Sequence, residues 1–163
     1  METEVCFSCK GTFPKSSGPV HAYMDSSAGC WSSFGKVLAK EYENPAYFAT
    51  HRLTVDAYAV QHPGGHSRQA IQSVGVHLVR LCLFLEHGLS PESANDAMLS
   101  AAKLKHDYVW LSPPHSLGRI TVADVCAAAT VSSHIALVRA WAEQMWAVWG
   151  DHRETVRKWA SQT

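Results

Sequence analysis

The sequence predicts an all-α protein, a helical bundle of about five helices preceded by an irregular N-terminal segment that resembles a zinc knuckle. Apolar residues recur at helical spacing from Gly29 onward, and no segment alternates apolar and polar residues over the length of a strand. Residues 1–28 instead contain repeated glycine, proline and serine. We therefore expect a single domain over residues 1–163, with a metal-stabilised loop segment at 1–28 and the helical bundle at 29–163.

A proline signal separates the first two helices. Apolar spacing predicts a helix over roughly 30–42. Asn44 is then a typical N-cap and Pro45 a typical first helical residue, because that position leaves the backbone N–H unpaired in any case. The second helix is expected to run to Gln61, since the sequence His-Pro-Gly-Gly at 62–65 favours a turn.

Two further helices are predicted on either side of Gly88. Ser67 is the expected N-cap of a third helix over about 68–87, and Gly88 ends it. A shorter fourth helix over about 90–105 is expected to have Pro91 as its first residue.

The last predicted helix is the longest. Residues 106–120 contain two prolines and a glycine and are expected to form a loop. Thr121 and Asp124 have the spacing of a capping box, with aspartate in the place of glutamate. The helix that they begin is expected to reach about Trp149, with a short amphipathic tail after it.

Charge and hydropathy exclude several classes of function. The chain has 14 Lys and Arg against 14 Asp and Glu, and a net charge of zero argues against nucleic-acid binding. Its longest apolar stretch, 74–85, is too short to span a membrane and contains His77 and Arg80. The N-terminus is acidic, unlike a secretory signal, so a cytoplasmic location is expected. The expected partner is a small-molecule substrate, and the sequence leaves a homodimer open.

Three of the five cysteines lie in the first 30 residues, together with one histidine. Cys6, Cys9, His21 and Cys30 offer three thiolates and an imidazole, which is the ligand set of a structural zinc site. A segment without a core of its own would gain folding free energy from such a metal. Two alternatives stay open: a redox-active dithiol formed by Cys6 and Cys9, and a buried Cys30 that binds nothing.

Three further histidines are candidates for a second divalent metal site. His51 lies 13 residues before Gly64 and His77 lies 13 residues after it. If the second and third helices form an antiparallel hairpin that turns near Gly64, both imidazoles lie at the same height on neighbouring helices, close enough to share an ion. His134 lies on the apolar face of the last helix and is the third candidate ligand. The alternative is that each is a hydrogen-bonded core residue.

Three residues near these histidines are candidates for catalysis. Asp56 lies in an apolar neighbourhood and needs a partner, either a histidine that it orients or one of the nearby arginines. His62 and Tyr58 are expected to transfer protons at the mouth of the helical hairpin. The sequence thus predicts a metal-dependent hydrolase or transferase with a structural zinc. The alternative is a non-catalytic small-ligand-binding or regulatory module with one structural zinc.

Several motifs follow one another along the chain in a distinctive order: Cys6-x-x-Cys9, Gly29-Cys30-Trp31, His51-Arg-Leu-x-Val-Asp-x-Tyr-x-x-Gln-His-Pro63 and Gln72-Ser73-x-x-x-His77-Leu78. This order resembles an uncharacterised bacterial family known only as a domain of unknown function. The resemblance covers nearly the whole chain and implies one intact domain that carries both clusters. It implies no substrate and no reaction. At the level of architecture alone, the predicted bundle also resembles the small metal-binding bundles of the DinB type, although it lacks their His-x3-His pair.

Overall fold

The computed structural model describes residues 1–90 and 93–163, and α-helices account for most of these residues. The prediction of an all-α bundle is confirmed. The described residues form eight α-helices rather than about five: α1 (Ala28–Glu43), α2 (Pro45–Phe48), α3 (His51–Gln61), α4 (Arg68–Leu85), α5 (Ala94–Lys103), α6 (Val122–Ala127), α7 (Val131–Val148) and α8 (Arg153–Ala160). A short 3₁₀ turn, Gly150–His152, precedes α8.

Two of the predicted helices are each divided in two. The segment 45–61 breaks before α3, where Thr50 Oγ1 lies 3.0 Å from the carbonyl oxygen of Tyr47 and competes with helical pairing. The segment 121–149 begins with the predicted capping box, but Thr130 and Ser133 form a second capping box that begins α7. The alanine-rich segment between the two capping boxes favours a continuous helix, but the second capping box ends that continuity.

Helix α4 ends before position 91, and helix α5 begins after it. Ser67 caps α4 as expected, because its hydroxyl oxygen accepts a hydrogen bond from the N–H of Ala70. The predicted helix start at Pro91 lies outside the described residues. Within the two described ranges, no helix is long and apolar enough to cross a membrane.

The N-terminal segment contains a small antiparallel hairpin that the sequence did not predict. Strand β1 (Thr3–Val5) pairs with β2 (Thr12–Pro14), with Glu4 opposite Phe13. Strands of three residues are too short to show the alternation that identifies a strand in a sequence. Phe13 is the one buried side chain of the pair, so the hairpin contributes little core of its own.

The hairpin docks on the first turn of α1. The side chain of Glu4 accepts a hydrogen bond from the N–H of Gly29, which the helix leaves unpaired. Gly29 has to be a glycine because a Cβ there would collide with the carbonyl oxygen of Pro14. This close approach holds the hairpin against the first turn of α1, which contains Cys30.

Helix α3 is at the centre of the bundle and packs against both α4 and α7. Helix α1 packs against α6, while α5 and α8 pack on α4. Gln61, the last residue of α3, is fully buried and is held by three hydrogen bonds. Its amide nitrogen donates to the carbonyl oxygens of Leu117 and Ile120, and its amide oxygen accepts from Trp141 Nε1. The C-terminal end of α3 is therefore fixed in position by the rest of the fold.

Two glycines in helix interiors provide a matched test of this packing. A Cβ at position 75 would lie 2.5 Å from Cγ of the buried Tyr108, whereas a Cβ at position 35 meets open space. Gly75→Ala is expected to lower the free energy of unfolding by about 1–3 kcal/mol through overpacking. Gly35→Ala is expected to raise it by about 0.5–1 kcal/mol, because alanine favours a helix. Urea denaturation measures both, and equal stability of the two variants would contradict the packing described for α4.

Candidate metal centre

Four buried side chains from three parts of the chain meet beside the N-terminal hairpin. The sulfur atoms of Cys6, Cys9 and Cys30 and one ring nitrogen of His62 all lie within 4.8 Å of one another. Cys6 and Cys9 flank the turn of the hairpin, Cys30 lies in the first turn of α1, and His62 follows directly after α3. We refer to these four residues as the Cys3His group.

The hairpin turn has the backbone of a metal knuckle. The N–H of Cys6 donates to the carbonyl oxygen of Gly11, and the N–H of Lys10 donates to the carbonyl oxygen of Cys6, each over 2.9 Å. Lys10 has a φ of 63°, which lets the chain turn tightly after the second cysteine. The N–H of Gly11 then points at the sulfur of Cys9 over 3.4 Å, and such a hydrogen bond stabilises a thiolate.

Cys30 completes the thiol set from the N-terminus of α1. Its N–H donates to the hydroxyl oxygen of the N-cap Ser27, which fixes the first turn. The positive end of the helix dipole would help to stabilise a Cys30 thiolate once a cation binds the group. The sulfur atoms of Cys30 and Cys9 are 3.9 Å apart, far longer than the roughly 2.05 Å of a disulfide bond. All three cysteines are free thiols.

His62 supplies the fourth donor in a defined orientation. Its Nδ1 lies 2.7 Å from the carbonyl oxygen of Tyr58, and a carbonyl can only accept, so Nδ1 carries the proton. Its Nε2 is then free to act as a ligand and lies 3.3 Å from the sulfur of Cys30. This is how proteins orient metal-binding histidines. Pro63 ends the helix at this point, so His62 leaves the helix and reaches the thiols.

The separations fit a tetrahedral ion. With bonds of about 2.3 Å to sulfur and about 2.0–2.1 Å to nitrogen, neighbouring ligands of a tetrahedral zinc lie about 3.5–3.8 Å apart. The two distances from Cys30, 3.9 Å to the Cys9 sulfur and 3.3 Å to His62 Nε2, bracket that range. All four donors are buried, and no side chain of the group has to move far to share one ion.

Tyr58 supports the group from the preceding turn of α3. Its ring stacks between those of Phe34 and His62, with centroid separations of 3.8 and 3.9 Å. Its hydroxyl lies 3.4 Å from the sulfur of Cys30. Burial, followed by the charge of Cys30, raises the pKa of Tyr58, so the phenol keeps its proton and can donate it to the sulfur. The predicted proton-transfer roles of Tyr58 and His62 at an open mouth do not fit, because both side chains are fully buried.

The three thiols do not ionise independently. Hydrogen bonds from Cys30 and then from Cys9 lower the pKa of Cys6, whereas the hydrogen bond with Cys6 raises the pKa of Cys30. The group therefore favours one thiolate that the other two thiols stabilise. Three adjacent thiolates require a cation to offset their mutual repulsion.

His21, which the sequence favoured as the fourth ligand, lies outside the Cys3His group. Its Nδ1 accepts hydrogen bonds from the N–H groups of Tyr23 and Met24, each over 3.2 Å. Its ring packs against those of Tyr23 and Trp31, and burial lowers its pKa. His21 thus organises the loop at 21–24. The order of residues along the chain favoured His21 because it lies between Cys9 and Cys30, and only the tertiary fold brings His62 to the thiols.

His51 and His134 share a buried carboxylate. Glu41 of α1 is fully buried, and one of its oxygens lies 3.2 Å from His51 Nδ1 while the other lies 2.9 Å from His134 Nε2. The hydroxyls of Thr50 and Thr54 lie within hydrogen-bonding distance of the same carboxylate. Burial raises the pKa of Glu41, but the hydrogen bonds from His51, Thr54 and His134 outweigh burial and hold this pKa below its usual value.

His77 has a different carboxylate partner. Its Nδ1 lies 2.7 Å from Asp56 Oδ1, and Arg80 lies 3.1 Å from the same oxygen. The sequence offered Asp56 a histidine or an arginine as its partner, and the structure supplies both. The predicted meeting of His51, His77 and His134 at one ion does not occur, because Glu41 bonds His51 and His134 whereas His77 bonds Asp56. Among the described residues, no group with the spacing of metal ligands contains any of these three histidines.

A second group with the spacing of metal ligands lies at the end of α4, formed by Cys82, Glu86 and His87. Here Glu86 already pairs with Arg157 through two hydrogen bonds of 2.7 and 2.9 Å. Arg157 lowers the pKa of Glu86 to about 2. Burial raises the pKa of Cys82 to about 11, so its thiol stays protonated. Two of the three side chains are exposed, and the arrangement is that of a surface ion pair.

The buried Glu41 provides a test of the histidine network. Glu41→Gln is expected to lower the free energy of unfolding at pH 7 by about 1–3 kcal/mol, because the amide presents an NH2 group to one of the two imidazoles in place of an accepting oxygen. The folded-state pKa of Glu41 is depressed, so its contribution is present above the unfolded-state pKa and is lost as the pH falls through the folded-state value. The difference between the two proteins should therefore shrink in acid. Glu43→Gln, on the exposed side of α1, is the control, and a similar loss there would contradict this interpretation.

Comparison with known proteins gives one match. The model of the family described as "Family of unknown function (DUF5946)" matches residues 4–150. No curated protein and no solved structure matches the chain. The matched stretch contains all four residues of the Cys3His group and both buried carboxylates with their histidines. The resemblance to an uncharacterised family is confirmed, and the chain belongs to the Family of unknown function (DUF5946).

Proposed function

We propose that the chain binds one Zn²⁺ through Cys6, Cys9, Cys30 and His62, and that this ion is structural. The observation that carries the proposal is the orientation of His62. Its Nδ1–H is committed to the carbonyl oxygen of Tyr58, so the only ring nitrogen with a free lone pair faces the three buried thiols. A histidine that only filled space in the core would not need this arrangement.

The donor set favours zinc over other ions. Three thiolates and one imidazole suit a borderline-soft ion with tetrahedral coordination, whereas Mg²⁺ and Ca²⁺ prefer oxygen. Four protein ligands complete a tetrahedron and leave no position for water or substrate. The burial of all four donors supports the same conclusion. The ion therefore has the features of a structural site rather than a catalytic one.

The position of the site explains what the ion stabilises. The ligands come from the hairpin turn, the start of α1 and the end of α3, three segments that are distant in sequence. The hairpin has one buried side chain of its own besides the cysteines, so hydrophobic burial contributes little to holding it in place. Metal binding supplies the missing free energy, as in other small segments that fold around zinc.

A closed structural site favours a non-catalytic metal within a module that has another function. A metal-dependent hydrolase or transferase needs an ion with an open position. The Cys3His group offers none, and His51, His77 and His134 are each hydrogen-bonded to a carboxylate. We therefore propose one zinc ion per chain and no second metal at these histidines.

Metal stoichiometry of two histidine variants tests the proposal directly. The purified protein is expected to contain one zinc per chain by elemental analysis. His62→Ala should lose the zinc, because it removes the only nitrogen donor of the group. His21→Ala is the matched control and should retain the zinc, since His21 bonds backbone N–H groups instead.

Two results would overturn this assignment. The first is loss of zinc in His21→Ala with retention in His62→Ala. The second is a protein without metal in which Cys6 and Cys9 oxidise and reduce reversibly, which would establish a redox dithiol. If the variants do not fold, the wild-type protein is treated with a chelator instead. The far-UV circular dichroism of the protein should then change as the metal is lost.

The contact between the Tyr58 hydroxyl and the Cys30 sulfur leads to a prediction about zinc affinity. Tyr58→Phe removes one hydroxyl near the Cys30 sulfur but keeps the stacked ring and the backbone carbonyl that orients His62. We expect the affinity for zinc to fall by about tenfold with the fold retained, as for other groups that hydrogen-bond to metal ligands. Competition with a chromophoric chelator measures the affinity. Tyr108→Phe is the control, because its hydroxyl bonds the carbonyl oxygen of Ala101. An equal effect in both variants would contradict a specific role for Tyr58.

A further inference from the structure

A cleft of about 260 Å³ lies along α4, away from the ligands of the Cys3His group. Tyr23 and Met24, from the loop that His21 organises, line the cleft together with Tyr108. Helix α4 contributes the polar side of the cleft with Gln69, Gln72, Ser73 and His77. This volume lies just below the roughly 300–1,000 Å³ of typical ligand pockets, so the cleft suits only a small organic molecule.

His77 is held in this cleft as a hydrogen-bond acceptor. Its Nδ1 lies 2.7 Å from Asp56 Oδ1, and a carboxylate accepts, so Nδ1 carries the proton. Asp56 is fully buried and pairs with Arg80, a permanent cation, which compensates its charge. With the proton on Nδ1, the basic lone pair of the imidazole is on Nε2, which makes no hydrogen bond to the described residues. A carboxylate that fixes the tautomer of a histidine in this way prepares the other nitrogen as a general base.

Ser73 is the second polar group of the cleft without a partner. It lies one helical turn before His77 on α4, so both side chains are on the same face of the helix. Ser73 is 7% exposed, and its hydroxyl is buried without a hydrogen-bond partner in the described residues. Buried hydroxyls are nearly always satisfied, because an unpaired one costs about 1–3 kcal/mol. A ligand with a polar group at this point would supply the missing partner.

We propose that this cleft binds a small organic molecule with an apolar body and a hydroxyl group, and that His77 acts on that hydroxyl as a general base. The hydroxyl donates to Nε2 of His77, and its oxygen accepts from the hydroxyl of Ser73. On proton transfer, the O–H bond of the ligand breaks and the proton binds Nε2. The electron pair stays on the ligand oxygen, where Ser73 stabilises it, and the hydrogen bond from Nδ1 to Asp56 stabilises the imidazolium. Neither step uses the metal of the proposed zinc site.

A matched pair of probes tests the hydroxyl requirement. 4-Nitrophenol has an aromatic body with one weakly acidic hydroxyl, and its phenolate has a distinct visible absorption. 4-Nitrotoluene has nearly the same shape without the hydroxyl. Titration of the protein into 4-nitrophenol at constant pH is expected to give a saturable rise in phenolate absorption. 4-Nitrotoluene is expected to bind about tenfold more weakly, because two hydrogen bonds are lost. Nuclear magnetic resonance shifts should place the bound phenol at residues 73 and 77.

Variants separate the role of His77 from a merely structural one. His77→Gln keeps an N–H donor for Asp56 but has no basic nitrogen, so the rise in phenolate absorption should disappear. His87→Gln, an exposed histidine just beyond α4, is the control and should behave as the wild type. Ser73→Ala removes only the unpaired hydroxyl, and it should weaken 4-nitrophenol binding without unfolding the protein.

Specific results would overturn the proposal. Equal affinity for 4-nitrotoluene and 4-nitrophenol would show an apolar groove without a base. Phenolate absorption that persists in His77→Gln would locate the base elsewhere. If His77→Gln does not fold, unchanged binding by Ser73→Ala would by itself refute the site. The zinc content of each variant is measured in parallel, so that a failure of the cleft proposal can be distinguished from a failure of the zinc proposal.

Discussion

The hydrogen bond from His62 to the carbonyl oxygen of Tyr58 is the interaction on which the N-terminal third of the structure depends. That oxygen accepts from both the backbone N–H and Nδ1 of His62, over 3.1 and 2.7 Å. Pro63 ends the helix directly after His62, because proline has no backbone N–H to continue the helical pairing. A helix that continued through this position would point His62 along its own surface. The hairpin and the start of α1 would then lack a fourth donor.

Helix α3 connects this site to the rest of the bundle, because successive residues of a helix point in different directions. Tyr58 faces Cys30, Gln61 faces Trp141 of α7, and Asp56 faces His77 of α4. The carbonyl oxygen of Val60 accepts from Trp149 Nε1. Each of these contacts uses a polar group in the core, where an unpaired group would be costly. Buried polar residues are frequent between His51 and Pro63 because this short helix lies at the centre of the bundle.

Local signals in the sequence predicted much of the fold and little of the site. The caps at Asn44, Ser67 and Thr121 were predicted correctly, because a cap depends on residues within one turn. The breaks before α3 and α7 were not, since threonine competes with helical pairing only when its surroundings allow it. The knuckle cysteines were recognisable from their spacing. The fourth donor was not, because the contact between His62 and Cys30 spans 32 residues and depends on how α1 packs on α3.

The pairing of the histidines shows what a spacing argument leaves out. Reflection about Gly64 predicts equal heights for His51 and His77, but it does not predict the rotation about each helix axis that decides which side chains meet. At about 100° per residue, Asp56 points roughly 140° away from His51 and so reaches His77. His51 meets Glu41 of α1 instead. These three imidazoles, His51, His77 and His134, thus each bond a buried carboxylate.

The Cys3His group and the cleft on α4 are connected by one loop. His21 accepts hydrogen bonds from the N–H groups of Tyr23 and Met24, and these two residues line the cleft. Gly64 lies against the carbonyl oxygen of Tyr23, where any Cβ would collide with it. The loop is therefore held between a segment tied to the Cys3His group and the turn that joins α3 to α4. Because the same turn begins with His62, the position of these two lining residues depends on the geometry that aims His62 at the thiols.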